Sequence, residues 1–374
     1  MLTKLFLPLF LLTLSFSSCP PRQSVANSSV SENEPEALSP KHPKNIIFMV
    51  GDGMGIAQIT AGLYANDNHL ELERCPISGF HKSYSNNYLT TDSAAGATAF
   101  ACGKKTYNGA IGVGPDKQPI PTILEQAEQH GLATGLVVTS TIAHATPAAF
   151  IAHVESRKQY EDIATFFPQS GIDLFIGGGS NHFNHRKDHR NLIQELKENG
   201  YVIKNIQNES IDVAEMNPLH PFGFFTGKKD PKTYRQGRRY LPTASQRAVE
   251  FLDKRSDEGF FMMIEGSQID WGGHANDGKY IIEEMLDFDK AIGKVLDWAE
   301  KDGETLVVIT ADHETGGFAI LPSSKMNKLK TKFVTDYHTP VLIPVFAFGP
   351  GAEQFSGIYE NTAIYDKMVN SFGW

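Results

Sequence analysis

Cysteine is scarce, with only three in 374 residues. That excludes a disulfide scaffold, and a chain long enough to bury a large core needs no such staple. Cys75 and Cys102 could pair, but free structural thiols are the expected state. No block of like charge exceeds a few residues, and a formal net charge of −9 argues against a nucleic-acid binder, which would normally show a basic face. No fixed-period repeat appears, and no apolar run is long enough to span a bilayer. A G-x-S-x-G elbow is also missing, so no Ser-His-Asp hydrolase of that design is encoded.

The longest apolar stretch, Leu5–Leu14, follows Lys4 and is interrupted only by Pro8 and Thr13. Ser17 and Ser18 then precede Cys19. Residues 1–18 read as a signal peptide of the bacterial lipoprotein type, with Cys19 becoming the lipidated first residue. Phe16 stands where such sites carry an aliphatic residue, so ordinary signal cleavage is the alternative. Residues 19–43, rich in Ser, Pro and Glu, read as a flexible tether. The protein is therefore expected to be exported, either periplasmic or anchored to the outer membrane, with an extracellular location also open.

From residue 44 to 374 the pattern is that of one large domain. Asn45–Val50, Gly135–Ser140, Leu174–Ile176, Phe260–Ile264, Leu306–Thr310 and Leu342–Phe348 are short apolar runs without alternation. Such runs suit strands covered on both faces. Helical patterns lie between them at Pro121–His130, Ala244–Lys254 and Tyr280–Glu300. The alternation predicts an α/β fold: a large, mostly parallel, doubly wound sheet with helices on both faces. Residues 205–241 read as an irregular insertion and 322–337 as a polar, lysine-bearing loop.

In such sheets ligands bind beyond the carboxyl ends of the strands. Three predicted strands run there into carboxylates and glycine: Gly51-Asp52-Gly53, Glu265-Gly266 leading to Asp270 and His274, and Ala311-Asp312-His313-Glu314. One such carboxylate is weak evidence, since Asp also starts turns. Three segments together point to a metal cluster. Mixed Asp and His sets suit zinc, and all-oxygen sets suit magnesium.

Ser93 opens a run of small residues, Ser93-Ala94-Ala95-Gly96-Ala97. With Thr91 or Asp92 as N-cap, its hydroxyl falls in the first helical turn, where free N–H groups favour phosphate. Ser93 as a mere cap on a core helix is the plain alternative. Thr146-Pro147 reads as a second helix start, with Arg157 three turns along that helix. The planar fork of an arginine can hold two phosphate oxygens at once.

Together these motifs resemble the alkaline phosphatases. The matching segments are Asp52-Gly53-Met54-Gly55, Thr91 to Ala99, Lys105-Thr106-Tyr107-Asn108-Gly109, Ala145-Thr146-Pro147 with Arg157, Gly177-Gly178-Gly179, Thr310 to Glu314 and His338-Thr339. They fall in family order from about Asn45 to the C-terminus, and the short insertions are like those of compact marine and cold-adapted enzymes.

The resemblance implies phosphate monoester hydrolysis with Ser93 as nucleophile, a phosphoserine intermediate, and Arg157 clamping phosphate. It implies two zinc ions per chain. One would lie on Asp270, His274 and His338, the other on Asp52, Asp312, His313 and Ser93. One magnesium would sit on Asp52, Thr146 and Glu265. It further implies a homodimer. His144 and Trp271 stand where the enterobacterial pattern has Asp and Lys, which bears on the third metal and on the hold on phosphate. Alternatives are a phosphodiesterase of the same superfamily and a non-catalytic exported lipoprotein that binds phosphate or metal. A sulfatase is disfavoured by Ala95 and Ala97, where its nucleophile motif needs Pro and Arg.

Overall fold

The computed structural model describes residues 42–374. The signal peptide, Cys19 and nearly all of the tether lie outside the described residues. The strands are β1 Asn45–Gly51, β2 Ile77–Lys82, β3 Ala133–Thr141, β4 Leu174–Gly178, β5 Val202–Asn205, β6 Phe222–Phe225 and β7 Phe260–Gly266. They continue with β8 Thr305–Thr310, the two-residue β9 Glu314–Thr315, β10 Ala319–Ile320, β11 Thr331–Lys332 and β12 His338–Thr339, then β13 Leu342–Phe348 and β14 Gly357–Glu360.

Ten of them form one sheet in the order β14-β2-β13-β8-β1-β7-β3-β4-β6-β5. Only β13 runs against its neighbours, β2 and β8. β1 shows why the sheet is covered on both sides. Ile46, Phe48 and Val50 enter one core with Phe100, Leu124 and Met368, while Ile47 and Met49 enter the other with Val249, Met285 and Phe288. Each side chain so buried contributes about 1.5–3 kcal/mol. The fold is therefore the doubly wound α/β architecture that the apolar runs predict. No described helix is long and apolar enough to cross a membrane, and Cys75 and Cys102 are free thiols.

Two sequence expectations need correction. Arg157 does not lie on the helix that begins near Thr146. That helix is a single turn, Ala145–Ala148, with His144 at the N-cap position. The chain then turns so that Val154 can bridge to Ile111, and Arg157 N donates to Gly109 O at 2.7 Å. Burial of Phe150, Ile151 and Ala152 in the core outweighs helix continuation. The segment 205–241 is not wholly irregular either. It supplies β6, which lies between β4 and β5 near one edge of the sheet.

Candidate metal centre

The site gathers at the carboxyl ends of β1, β7 and β8. Asp52 follows β1 directly, Glu265 is the penultimate residue of β7, and Asp312-His313 follow β8. Asp270 and His274 come from the helix Gln268–His274, one turn apart on one face. His338 returns from far along the chain because β12 pairs with β9, setting His338 opposite Thr315. Gly53 makes the crowding possible. Its φ is +74°, and a Cβ there would lie 2.7 Å from Asp270 Cα.

The three imidazoles are aimed alike. His338 Nδ1 lies 2.8 Å from Thr91 O, and His274 Nδ1 lies 2.6 Å from Asp336 O. A carbonyl can only accept, so both Nδ1 atoms carry protons. Thr315 donates its hydroxyl proton to Asp270 and accepts from His313 Nδ1 at 3.2 Å. Each ring thus turns Nε2 to the same centre. These Nε2 atoms face carboxylates: His313 Nε2 is 3.2 Å from Asp312 Oδ2 and 3.6 Å from Asp52 Oδ1. His274 and His338 Nε2 lie 3.3 and 3.5 Å from Asp270 and 3.2 Å from each other. The hydrogen bond to Asp270 pushes His274 up to about 9, and against burial the pull of Asp312, then Asp270, raises His313. The cluster thus draws positive charge to these nitrogens, which a metal ion can supply in place of protons.

The carboxylates say the same. Both oxygens of Asp52, Asp312 Oδ2, Glu265 Oε1, Thr146 Oγ1 and His144 Nδ1 are buried without a hydrogen-bond partner. Burial, then repulsion from Asp312 and Asp270, holds the Asp52 carboxyl well above the usual range. Burial likewise pushes Glu265 up to about 7. Burial, then nearby Arg157, pulls His144 down to about 3, so its ring is neutral. Orphaned buried acceptors of this kind cost several kcal/mol and fit metal ligation.

Three groups of ligand atoms lie close enough to share an ion: Asp270, His274 and His338; Asp52, Asp270 and His313; and Asp52, His144 and Glu265. Asp312 borders the second through His313. The third brings in His144, whose ring nitrogen joins the oxygens of Asp52 and Glu265. Trp271 stands edge-on to that ring, with centroids 6.2 Å apart.

Ser93 opens the helix Ser93–Cys102, capped by Asp92, and its Oγ lies 3.5 Å from His313 Nε2. The helix can lie this close because its residues are small; a Cβ on Gly96 would sit 3.0 Å from Asp312 Cβ. Asp92 does more than cap. Its Oδ1 accepts from Ala95 N and Gly109 N, and its Oδ2 pairs with Arg157 Nη1 at 3.0 Å. Arg157 Nη2 lies 3.4 Å from His144 Nε2. The roles of Asp92 as the hold on Arg157 and of Thr315 as the link between His313 and Asp270 are not readable from sequence, since nothing in the spacing links those pairs.

With this geometry in place, comparison with known proteins is informative. The family model described as alkaline phosphatase matches residues 43–333. The chain belongs to the alkaline phosphatase family. Alkaline phosphatase 3 of Bacillus subtilis is 40% identical over 79% of this chain and 67% of its own length. The Escherichia coli alkaline phosphatase is 32% identical over 90% and 88%. The solved alkaline phosphatase of the Antarctic bacterium TAB5 is 41% identical, with a TM-score of 0.84 over 90% of this chain and 99% of that one. A histidine-to-aspartate variant of that protein has been solved with magnesium bound in its M3 site. As an alkaline phosphatase this chain is an enzyme of a metal-dependent family, and hydrolysis of phosphate monoesters is the reaction the family implies.

Proposed function

We propose that this alkaline phosphatase hydrolyses phosphate monoesters through a phosphoserine intermediate on Ser93, with two zinc ions and one magnesium ion. The observation that carries the reading is the set of three imidazole Nε2 atoms and unpaired carboxylate oxygens converging beside Ser93, with Arg157 facing them. Asp270, His274 and His338 would hold one zinc. Asp52, Asp312 and His313 would hold the other, with Ser93 completing it. Asp52, Thr146 and Glu265 would hold magnesium, with His144 alongside. When bound, these ions would lower the pKa of the Ser93 hydroxyl and of a water, and would carry negative charge on the leaving oxygen.

The chain's own groups supply the rest. Ser93 Oγ attacks phosphorus in line, forming an O–P bond as the bond to the alcohol breaks. Free N–H groups of the helix start and the Arg157 fork hold the non-bridging oxygens as charge grows on them. Asp92 fixes that fork in place. Water then opens the phosphoseryl ester, returning Ser93 and releasing phosphate. Trp271, where a lysine would reach phosphate, leaves product more weakly held.

Export through residues 1–18, lipidation at Cys19 and assembly as a homodimer complete the proposal. The first two rest on the N-terminal sequence and the third on family resemblance. The test is aryl phosphate hydrolysis by purified protein, before and after chelation and on adding back zinc and magnesium. Activity that survives chelation, or that persists in Ser93→Ala, would overturn the reading. Faster hydrolysis of a bis-ester than of the monoester would favour a phosphodiesterase.

A further inference from the structure

Phosphate transfer calls for polar groups, yet one wall of the site's mouth is apolar and firmly held. Residues 83–92 join β2 to the Ser93 helix. Lys105 Nζ donates to Tyr84 O at 2.6 Å and Asn86 N to Thr106 O at 2.9 Å. Asn108 N donates to Asn87 Oδ1 at 3.3 Å, and Asn108 Nδ2 to Thr90 O at 3.0 Å. The loop so tied still leaves Tyr88 63% and Leu89 75% exposed. Large apolar side chains held out on a pinned loop mark a binding surface.

Tyr337, 49% exposed, joins them. Its ring lies flat on His338, centroids 4.6 Å apart and planes 4° apart. Tyr88, Leu89, Thr90, Asn108 and Tyr337 line an open cleft of about 500 Å³ with no charged group in its wall, within the usual size of a small-molecule site. The cleft adjoins the reacting centre. Asn108 Oδ1 accepts from the N–H of Asp92, which caps the Ser93 helix, and Thr91 O accepts from His338.

We propose that this cleft receives the alcohol part of the ester and favours alcohols that carry a planar ring, such as a nucleoside, over small polyols. The proposal rests on the phosphatase reading above. Tyrosine faces stack on any planar ring, an interaction that strengthens binding by about tenfold or more per ring. A polyol has no face to stack, and Asn108 already uses both ends of its amide on the loop. Its hydroxyls would exchange water for the hydroxyls of Tyr88, Thr90 and Tyr337, a swap of small net gain.

Adenosine 5′-monophosphate and glycerol 1-phosphate test this, since both are esters of primary alcohols and differ little in leaving-group reactivity. We expect kcat/KM to favour the nucleotide about tenfold, mainly through KM. In Tyr88→Ala/Leu89→Ser that ratio should fall to near one, and a Tyr337→Phe variant, which keeps the ring, should preserve it. Equal kcat/KM for both esters in the unmodified enzyme, or an unchanged ratio in the double variant, overturns the subsite but leaves the phosphatase reading standing. No hydrolysis of either ester overturns that reading itself. If the double variant loses activity on both esters alike and sediments as a smaller species, the patch is an interface between copies of this chain and the subsite is wrong.

Discussion

Two buried clusters of acid lie in this fold, and they differ in one respect. On the helix Gly278–Asp302, Glu284 and Asp287 flank Arg238, with all three side chains 2% exposed. The chain supplies the cation there, and the result pins the segment before the helix Leu241–Asp253 to the long helix. At the strand ends Asp52, Glu265, Asp270 and Asp312 are equally buried, but the nearest guanidinium, Arg157, is paired with Asp92. One cluster carries its own cation, though Arg238 Nε and Nη1 are left without partners, and the other is built for a cation from outside.

The largest expected effect comes from relieving the open cluster. Asp52→Asn should lower kcat/KM by about 10³-fold or more, the scale of losing a major electrostatic element. It should also reduce bound metal. Because burial and repulsion raise the Asp52 carboxyl, its ionised form destabilises the metal-free fold at neutral pH. The chelated variant should therefore melt at a higher temperature than the chelated parent. A lower melting temperature would show that the open cluster is not strained.

The closed cluster predicts the opposite pattern. Arg238→Met strands two buried carboxylates and should cost about 3–5 kcal/mol of stability in denaturant titration, with activity per folded molecule retained. A loss under about 1 kcal/mol would mean that the pair is already neutral without its arginine.

Glu128 is a half-buried acid with neither kind of cation, since the neighbouring Arg255 is paired with Asp173. Burial pushes its carboxyl up to about 8. The folded state then keeps a proton that the unfolded chain releases near pH 4.5, so Glu128 costs stability progressively as pH rises from about 4.5 to 8. Glu128→Gln should raise the melting temperature at pH 9 and leave it little changed at pH 4. Equal shifts at both pH values would place the effect elsewhere.

The smallest effect gives the open cluster a cation of its own. Trp271→Lys should tighten inhibition by inorganic phosphate by about three- to tenfold, the scale of one added charge contact. Unchanged inhibition would remove Trp271 from the account of product release.

The parts legible in sequence share a physical cause. Strands buried on both faces read as unbroken apolar runs, and residues just past their ends must be polar for a reason, so Asp52, Glu265, Asp312 and His313 stood out. The strands near one edge did not. In β2 Ser78, Phe80 and Lys82 face solvent, and Gly79 must lack a side chain because Phe355 O would lie 2.2 Å from its Cβ. The bend that lifts Arg157 off a helix was also hidden, because it depends on the Ile111–Val154 bridge, a contact across more than forty residues. His144 was visible as an oddity in the pattern, but only folding shows its ring nitrogen beside Asp52 and Glu265.

Asp52 belongs to two of the three ligand groups. A cation bound on one side of that carboxylate relieves the repulsion that opposes ionisation on the other, so the sites are thermodynamically linked and each binding event prepares the next. Metal uptake by the stripped enzyme should accordingly be cooperative, and the form carrying a single ion should be scarce at every point of the titration.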